Sequence, residues 1–214
     1  MIVCVAGPMA AGKNLASSIL EERGFVSVDA DELGHEAVEI CREKILAAFG
    51  NLAAEKNLNL LDGDGKINRR NLGALVFASP ELIQKQESIV YPAIENLFRK
   101  FLETNKGKNI VLNATVLYKI PAMMKLVDLV LFVDAPAVVR YFRARKRDGM
   151  KPSQIADRFR RQKNLFVKYK ESHADILRVW NTGSRRGLEK KLDKLAQRGR
   201  LGINVWIKKE HCGY

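Results

Sequence analysis

The chain has 214 residues, 47% of them apolar, and a formal net charge of +13. That length suits one domain with insertions or a core with a small subdomain, no run of about 18 apolar residues reads as a membrane span, and no secretory leader is expected from an N-terminus that enters an apolar run at once. Cys4, Cys41 and Cys212 are odd in number and scattered, which suits a reducing cytoplasm and argues against a disulfide framework or a structural zinc site.

Residues 2–6, Ile-Val-Cys-Val-Ala, predict a buried parallel strand. Gly7-Pro-Met-Ala-Ala-Gly-Lys-Asn14 follows. The phosphate-loop pattern G-x-x-x-x-G-K-[ST] is met at Gly7, Gly12 and Lys13 and fails at Asn14, where a hydroxyl usually holds Mg²⁺. Leu15, Ile19 and Leu20 then carry a helical stripe to Gly24. Strand, loop and helix in that order place backbone N–H groups and a helix N-terminus around a di- or triphosphate. Gly7, Ala10, Ala11, Gly12, Lys13, Asn14 and Leu15 are the expected nucleotide-contacting positions.

A second strand, Phe25–Val28, runs into Asp29-Ala30-Asp31. Carboxylates just past a strand end lie at the carboxyl edge of the sheet, where open α/β folds bind ligands. Asp31 is the candidate base for a substrate hydroxyl; Asp29, with Asn14, is a candidate metal ligand. The stretch 33–104 breaks the alternation of strand and helix. Val38, Cys41, Ile45, Leu46 and Phe49 recur at helical spacing, a turn falls at Asp62-Gly63-Asp64-Gly65, and helical segments are expected near 69–78 and 80–104. Asp62–Ile67 imitates the middle of a calcium loop, but Leu60 and Asn71 would then occupy its first and last ligand positions, so a tight turn before a helix is the better reading.

Three more strands are predicted at Asn109–Asn113, Asp128–Val133 and Ile176–Trp180, with helices between, as in a parallel sheet covered on both faces. Arg140, Arg143, Arg145, Lys146 and Arg147 crowd one helix, and spacings of three and four bring Arg140, Arg143 and Arg147 onto one face. Guanidinium forks suit phosphate, and a basic helix that closes over ATP would exclude water. The charge at 185–200 reads instead as a solvated helix face. Residues 203–207 alternate like a strand.

Together these pieces resemble the dephospho-CoA kinase family from residue 1 to about 195. The resemblance is carried by Gly7–Lys13, Val28-Asp29-Ala30-Asp31, Asp64-Gly65-Lys66-Ile67-Asn68-Arg69 with Leu72 and Val76-Phe77, and Tyr91-Pro92-Ala93-Ile94. It continues through Val133-Asp134-Ala135-Pro136, Arg143, Arg147-Asp148-Gly149, Gln162, Ala174-Asp175 and Asn181-Thr182-Gly183-Ser184. What it implies is ATP-dependent phosphorylation of the 3′-hydroxyl of dephospho-CoA, with Asp31 as catalytic base and with Arg143 and Arg147 on phosphates; the residues by themselves leave open another small-molecule or nucleoside monophosphate kinase, or a degenerate non-catalytic P-loop nucleotide-binding protein. The implied fold is a three-layer α/β P-loop kinase with a parallel central sheet. Its core would be 1–32, 108–139 and 173–199, its helical acceptor subdomain 33–107, its basic lid 140–172 and its tail 200–214. ATP, Mg²⁺ and dephospho-CoA are the expected partners, with no nucleic acid and no membrane, of a cytoplasmic protein read as a monomer with an oligomer left open. The chain departs from the family pattern at Asn14 (usually Ser or Thr), Tyr91 (His), Asn113 (acidic), Thr115 (Pro), Lys119 (Glu) and Arg140 (Gln).

Overall fold

Short apolar runs separated by amphipathic helices leave the chain few ways to bury its strands, and a parallel sheet is the one it adopts. The computed structural model describes residues 1–172 and 174–201. Its elements are β1 (Ile2–Ala6), α1 (Lys13–Glu22), β2 (Val26–Asp29), α2 (Ala30–Ile40), α3 (Arg42–Glu55), α4 (Arg69–Val76) and α5 (Pro80–Thr104). They continue with β3 (Ile110–Asn113), α6 (Pro121–Met124), β4 (Leu129–Asp134), α7 (Ala137–Asp148), α8 (Pro152–Arg161), α9 (Leu165–Lys170), β5 (Ile176–Trp180) and α10 (Arg185–Gln197). Among the described residues every strand lies within one residue of its predicted bounds. The strand expected at 203–207 lies outside the described residues.

Contacts divide the chain into two units, Met1–Asp29 with the described residues from Asn105 onward, and Ala30–Thr104. In the first unit the strand order is β2-β3-β1-β4-β5. All neighbours are parallel, with Val5 opposite both Asn113 and Leu131, and Asp29 opposite Asn113. Successive side chains leave a strand on opposite faces. Val3, Val5, Leu131 and Val133 therefore join Ile19 and Leu20 of α1 and Leu188 and Leu192 of α10 in one core. Phe132 meets Phe166 and Tyr169 of α9 edge to face, ring centroids 5.0 and 5.9 Å away. Helices thus cover both faces of the sheet, each buried Leu, Ile or Val contributing about 1.5–3 kcal/mol.

Tyr169 also governs the chain beyond β3. Its buried hydroxyl accepts the Leu117 N–H at 3.0 Å and lies 3.3 and 3.2 Å from the carbonyls of Ala114 and Thr115. Burial pushes its phenol well above the ordinary range and drives the neighbouring Cys4 thiol up to about 12, so both are neutral at any physiological pH. Replacing Tyr169 by Phe orphans the Leu117 amide inside the protein and is expected to cost about 1–3 kcal/mol. A lowered urea midpoint at unchanged m-value is the readout.

In the second unit α5 is the spine, with α2, α3 and α4 against it. Ile45, Phe49, Leu72, Leu75 and Phe98 are buried. The helical spacing through Cys41 is interrupted there. The backbone flattens at Cys41 (φ −89°, ψ 11°), while the Cys41 N–H→Ala37 and Ile45 N–H→Cys41 bonds persist on either side. An apolar stripe that runs through such a one-residue turn looks like one helix in sequence. The Asp62–Gly65 segment is the turn the sequence predicts. Asp62 Oδ1 accepts the N–H groups of Asp64 and Lys66, each at 3.0 Å, and Asn68 caps α4 by accepting the Asn71 N–H at 3.1 Å.

Candidate active site

The loop leaving β1 needs two of its glycines for different reasons. Gly7 has φ 149°, and a Cβ there would stand 2.0 Å from the Val133 carbonyl oxygen, so β4 leaves no room for any side chain. Gly12 has φ 105°, and its Cβ would meet Asn181 Nδ2 at 2.1 Å, the nitrogen that donates to the Ala11 carbonyl at 2.8 Å. Ala10 takes a left-handed conformation (φ 60°) without being glycine. L-residues there lose roughly 1–2 kcal/mol. Ala10→Gly is therefore expected to raise the unfolding free energy by about 1 kcal/mol after the added chain entropy of glycine is subtracted, measurable in the urea midpoint.

Helix α1 begins at Lys13, and its bond from the Ala16 N–H to the Gly12 carbonyl (3.0 Å) leaves the preceding amides at the helix end. Amides and a dipole at a helix start favour an anion. The loop's tip is fastened from above. Met9 N–H donates to Gln162 Oε1 at 2.8 Å, Arg158 Nη1 lies 3.7 Å from Met9 Sδ, and Met9 packs with Ala144 and Ile155.

Beside the loop is a cavity of about 550 Å³ lined by Ala10, Gly12, Leu15, Arg143, Lys146, Arg147, Asn181 and Gly183, large enough for a nucleotide-sized ligand. Arg143 reaches the carbonyls of Ala11 and Gly183, both at 3.4 Å. Arg147 lines the cavity, yet its fork grips Asp148 at 2.7 and 2.9 Å. That pairing lifts the Arg147 guanidinium above its ordinary range. Arg140 does not join them. Its Nε donates to the Ala135 carbonyl at 3.0 Å and its guanidinium sits 4.3 Å from the centre of the Phe159 ring, facing a separate cavity with Asp134 and Arg178. Burial lowers the Arg140 pKa, against the pull of Asp134. All three arginines lie on α7, but the Arg140 side chain is spent on Ala135 and Phe159.

Three side chains meet at the other flank of the loop. Asn113, at the end of β3, donates from Nδ2 to Asp29 Oδ2 at 2.9 Å and to Asn14 Oδ1 at 3.2 Å. Parallel register sets Asp29 beside Asn113, and α1 carries Asn14 to them as its second residue. The two proposed metal-side oxygens thus converge on one nitrogen. Asp31 belongs to the other unit, exposed in the first turn of α2. The sequence offered motifs at Gln162 and Asn181 but no roles for them; the polar turn Asn-Thr-Gly-Ser directly after β5 was the available signal for Asn181.

A model of the dephospho-CoA kinase family matches residues 1–184. The chain belongs to that family. It is 33% identical over 205 residues to the dephospho-CoA kinase of Treponema pallidum (strain Nichols), covering 94% of this chain and 97% of the relative. It is 34% identical over 197 residues to that of Treponema denticola, covering 90% and 87%. A solved structure from Thermus thermophilus superposes with a TM-score of 0.76 at 26% identity, covering 92% of this chain and 97% of that one. The dephospho-CoA kinase of Campylobacter jejuni gives 0.67 at 23% identity, covering 92% and 98%, and speaks for the fold. As a member of the dephospho-CoA kinase family the chain is a phosphotransferase that draws on ATP. Among the described residues no helix is long and apolar enough to cross a membrane.

Proposed function

We propose that the chain transfers the γ-phosphoryl group of ATP to the 3′-hydroxyl of dephospho-CoA, the last step of coenzyme A synthesis, as a cytoplasmic monomer. The observation that carries this reading is the family match over residues 1–184 together with a phosphate loop whose glycines are sterically required. Loop amides and Lys13 bind the phosphates, and the cavity lined by Leu15, Arg143 and Arg147 receives the rest of the nucleotide. Asp31 accepts the hydroxyl proton as the new P–O bond forms and the bond to the β-phosphate oxygen breaks, leaving ADP. Phosphoryl transfer asks the protein chiefly for position and charge, and Arg143 supplies charge on the nucleotide side. The unit Ala30–Thr104 serves the acceptor, and the helices within 140–172 shield the transfer from water.

The donors on the metal side fit Mg²⁺, a hard cation that takes oxygen ligands and keeps several from substrate phosphates. Asn14 and Asp29 would hold it, each through a side-chain oxygen that also accepts from the Asn113 amide. A Mg²⁺ ion held there would supply positive charge to offset that of the nucleotide's phosphates.

A coupled ADP-release assay with ATP, Mg²⁺ and dephospho-CoA, run beside AMP, CMP and shikimate as acceptors, tests the assignment. Turnover is expected with dephospho-CoA. Turnover with another acceptor and none with dephospho-CoA would overturn it.

A further inference from the structure

Asn113 has no task in the transfer just described, yet its amide is held more tightly than its place at a strand end requires. Both of its N–H groups are spent, one on Asp29 and one on Asn14. Its own Oδ1 is buried without a hydrogen-bond partner. An orphaned buried acceptor costs about 1–3 kcal/mol. Rotating the amide by half a turn would not help, because the oxygen would then face the Asp29 carboxylate and the Asn14 carbonyl oxygen. One orientation is therefore enforced, and it draws two oxygens from separate elements onto a single donor.

The charge count at this spot also matters. Asp29 and Asn113 are direct partners in the parallel register of β2 and β3. A carboxylate at 113 would set two negative groups abreast, each disfavouring ionisation of the other until a cation arrived. The carboxamide fills the same volume, supplies hydrogens in place of charge, and leaves Asp29 as the one carboxylate of this trio.

We propose that Asn113 is a positioning residue for the divalent cation: its carboxamide holds Asn14 Oδ1 and Asp29 Oδ2 beside each other, each keeping a further lone pair for a cation, and its lack of charge makes cation binding depend on the nucleotide. The cation then enters with ATP, whose phosphates supply the missing negative ligands, and the protein without nucleotide takes little of it. This rests on the reading of Asn14 and Asp29 as the metal-side ligands.

Mn²⁺ titration of the full chain, followed by the electron paramagnetic resonance signal of free Mn²⁺, with and without a non-hydrolysable ATP analogue, provides the test. Asn113→Ala is expected to weaken Mn²⁺ binding to the nucleotide complex about 10-fold or more, the usual scale for partners that orient metal ligands. Affinity for the analogue without metal should not move. Asn113→Asp is expected to strengthen nucleotide-free Mn²⁺ binding about 10-fold or more, the added carboxylate acting on the cation at close range. Thermal melts of each variant establish that it is folded. Unchanged Mn²⁺ affinity in either variant overturns the inference. Asn14→Ala and Asp29→Asn separate it from the reading beneath it. If they weaken Mn²⁺ binding while the Asn113 variants do not, only the role of Asn113 falls; if they too are without effect, the metal assignment itself falls.

Discussion

Replacing Asp31 by Asn is expected to lower kcat about 10²-fold or more, with ATP binding largely kept. The change removes one capacity, accepting a proton, and keeps shape and hydrogen bonding. Its other consequences are small. Asp31 and Glu32 are the acidic residues in the first turn of α2, and neutralising one of them there costs about 0.3–1 kcal/mol of helix-dipole stabilisation at most. An exposed side chain at a helix start is also an unpromising source of global unfolding. Stability and catalysis therefore separate in this variant, which makes the experiment clean: coupled ADP release gives kcat, nucleotide titration gives affinity, and a melt gives stability. Unchanged turnover removes Asp31 from the role of base.

Gly7→Ala should fail in the opposite way, by folding. The new methyl would sit 2.0 Å from the Val133 carbonyl oxygen, on a backbone with φ 149°. The methyl is fixed directly to the main chain just past β1 and the carbonyl is main chain of β4, strands held in parallel register by Val5↔Leu131 and Ala6↔Phe132. Neither can yield without breaking pairing at the sheet's centre, so a loss of about 3 kcal/mol or more is expected. The urea midpoint and soluble yield report it, and an unchanged midpoint would refute the steric account. Gly12→Ala is the instructive contrast. There the steric obstacle is the Asn181 side chain, which can swing aside only by giving up its buried 2.8 Å bond to Ala11, and the φ of 105° strains any L-residue, so a loss of stability smaller than that of Gly7→Ala is expected.

Much of this architecture is legible in the chain because its strands are short, apolar and rich in β-branched residues. Residues 129–134 are buried from end to end, and a run that short between helical stripes reads as an inner parallel strand. The loop was legible for a different reason: glycine spacing and a lysine state a backbone shape directly. What stayed hidden depends on register between distant segments. Asn14 and Asn113 are 99 positions apart and Asn113 and Asp29 are 84 apart. No local pattern announces that one amide will bridge the other two side chains. Arg140 shows the converse limit. Helical spacing gives the face a side chain leaves from, but a long flexible side chain chooses its destination among partners contributed by other elements, here the Ala135 carbonyl and the Phe159 ring.

The bond from the Met9 amide to Gln162 ties the phosphate loop to the segment just past α8. A loop held only by its own strand and helix would be free to reshape around a ligand while the chain above it moved independently. Here the two share a hinge pin. Lifting that segment frees an amide at the loop's tip, and reshaping the tip removes a foothold from the segment. The loop's shape and the position of that segment are thereby tied to each other through one glutamine side chain.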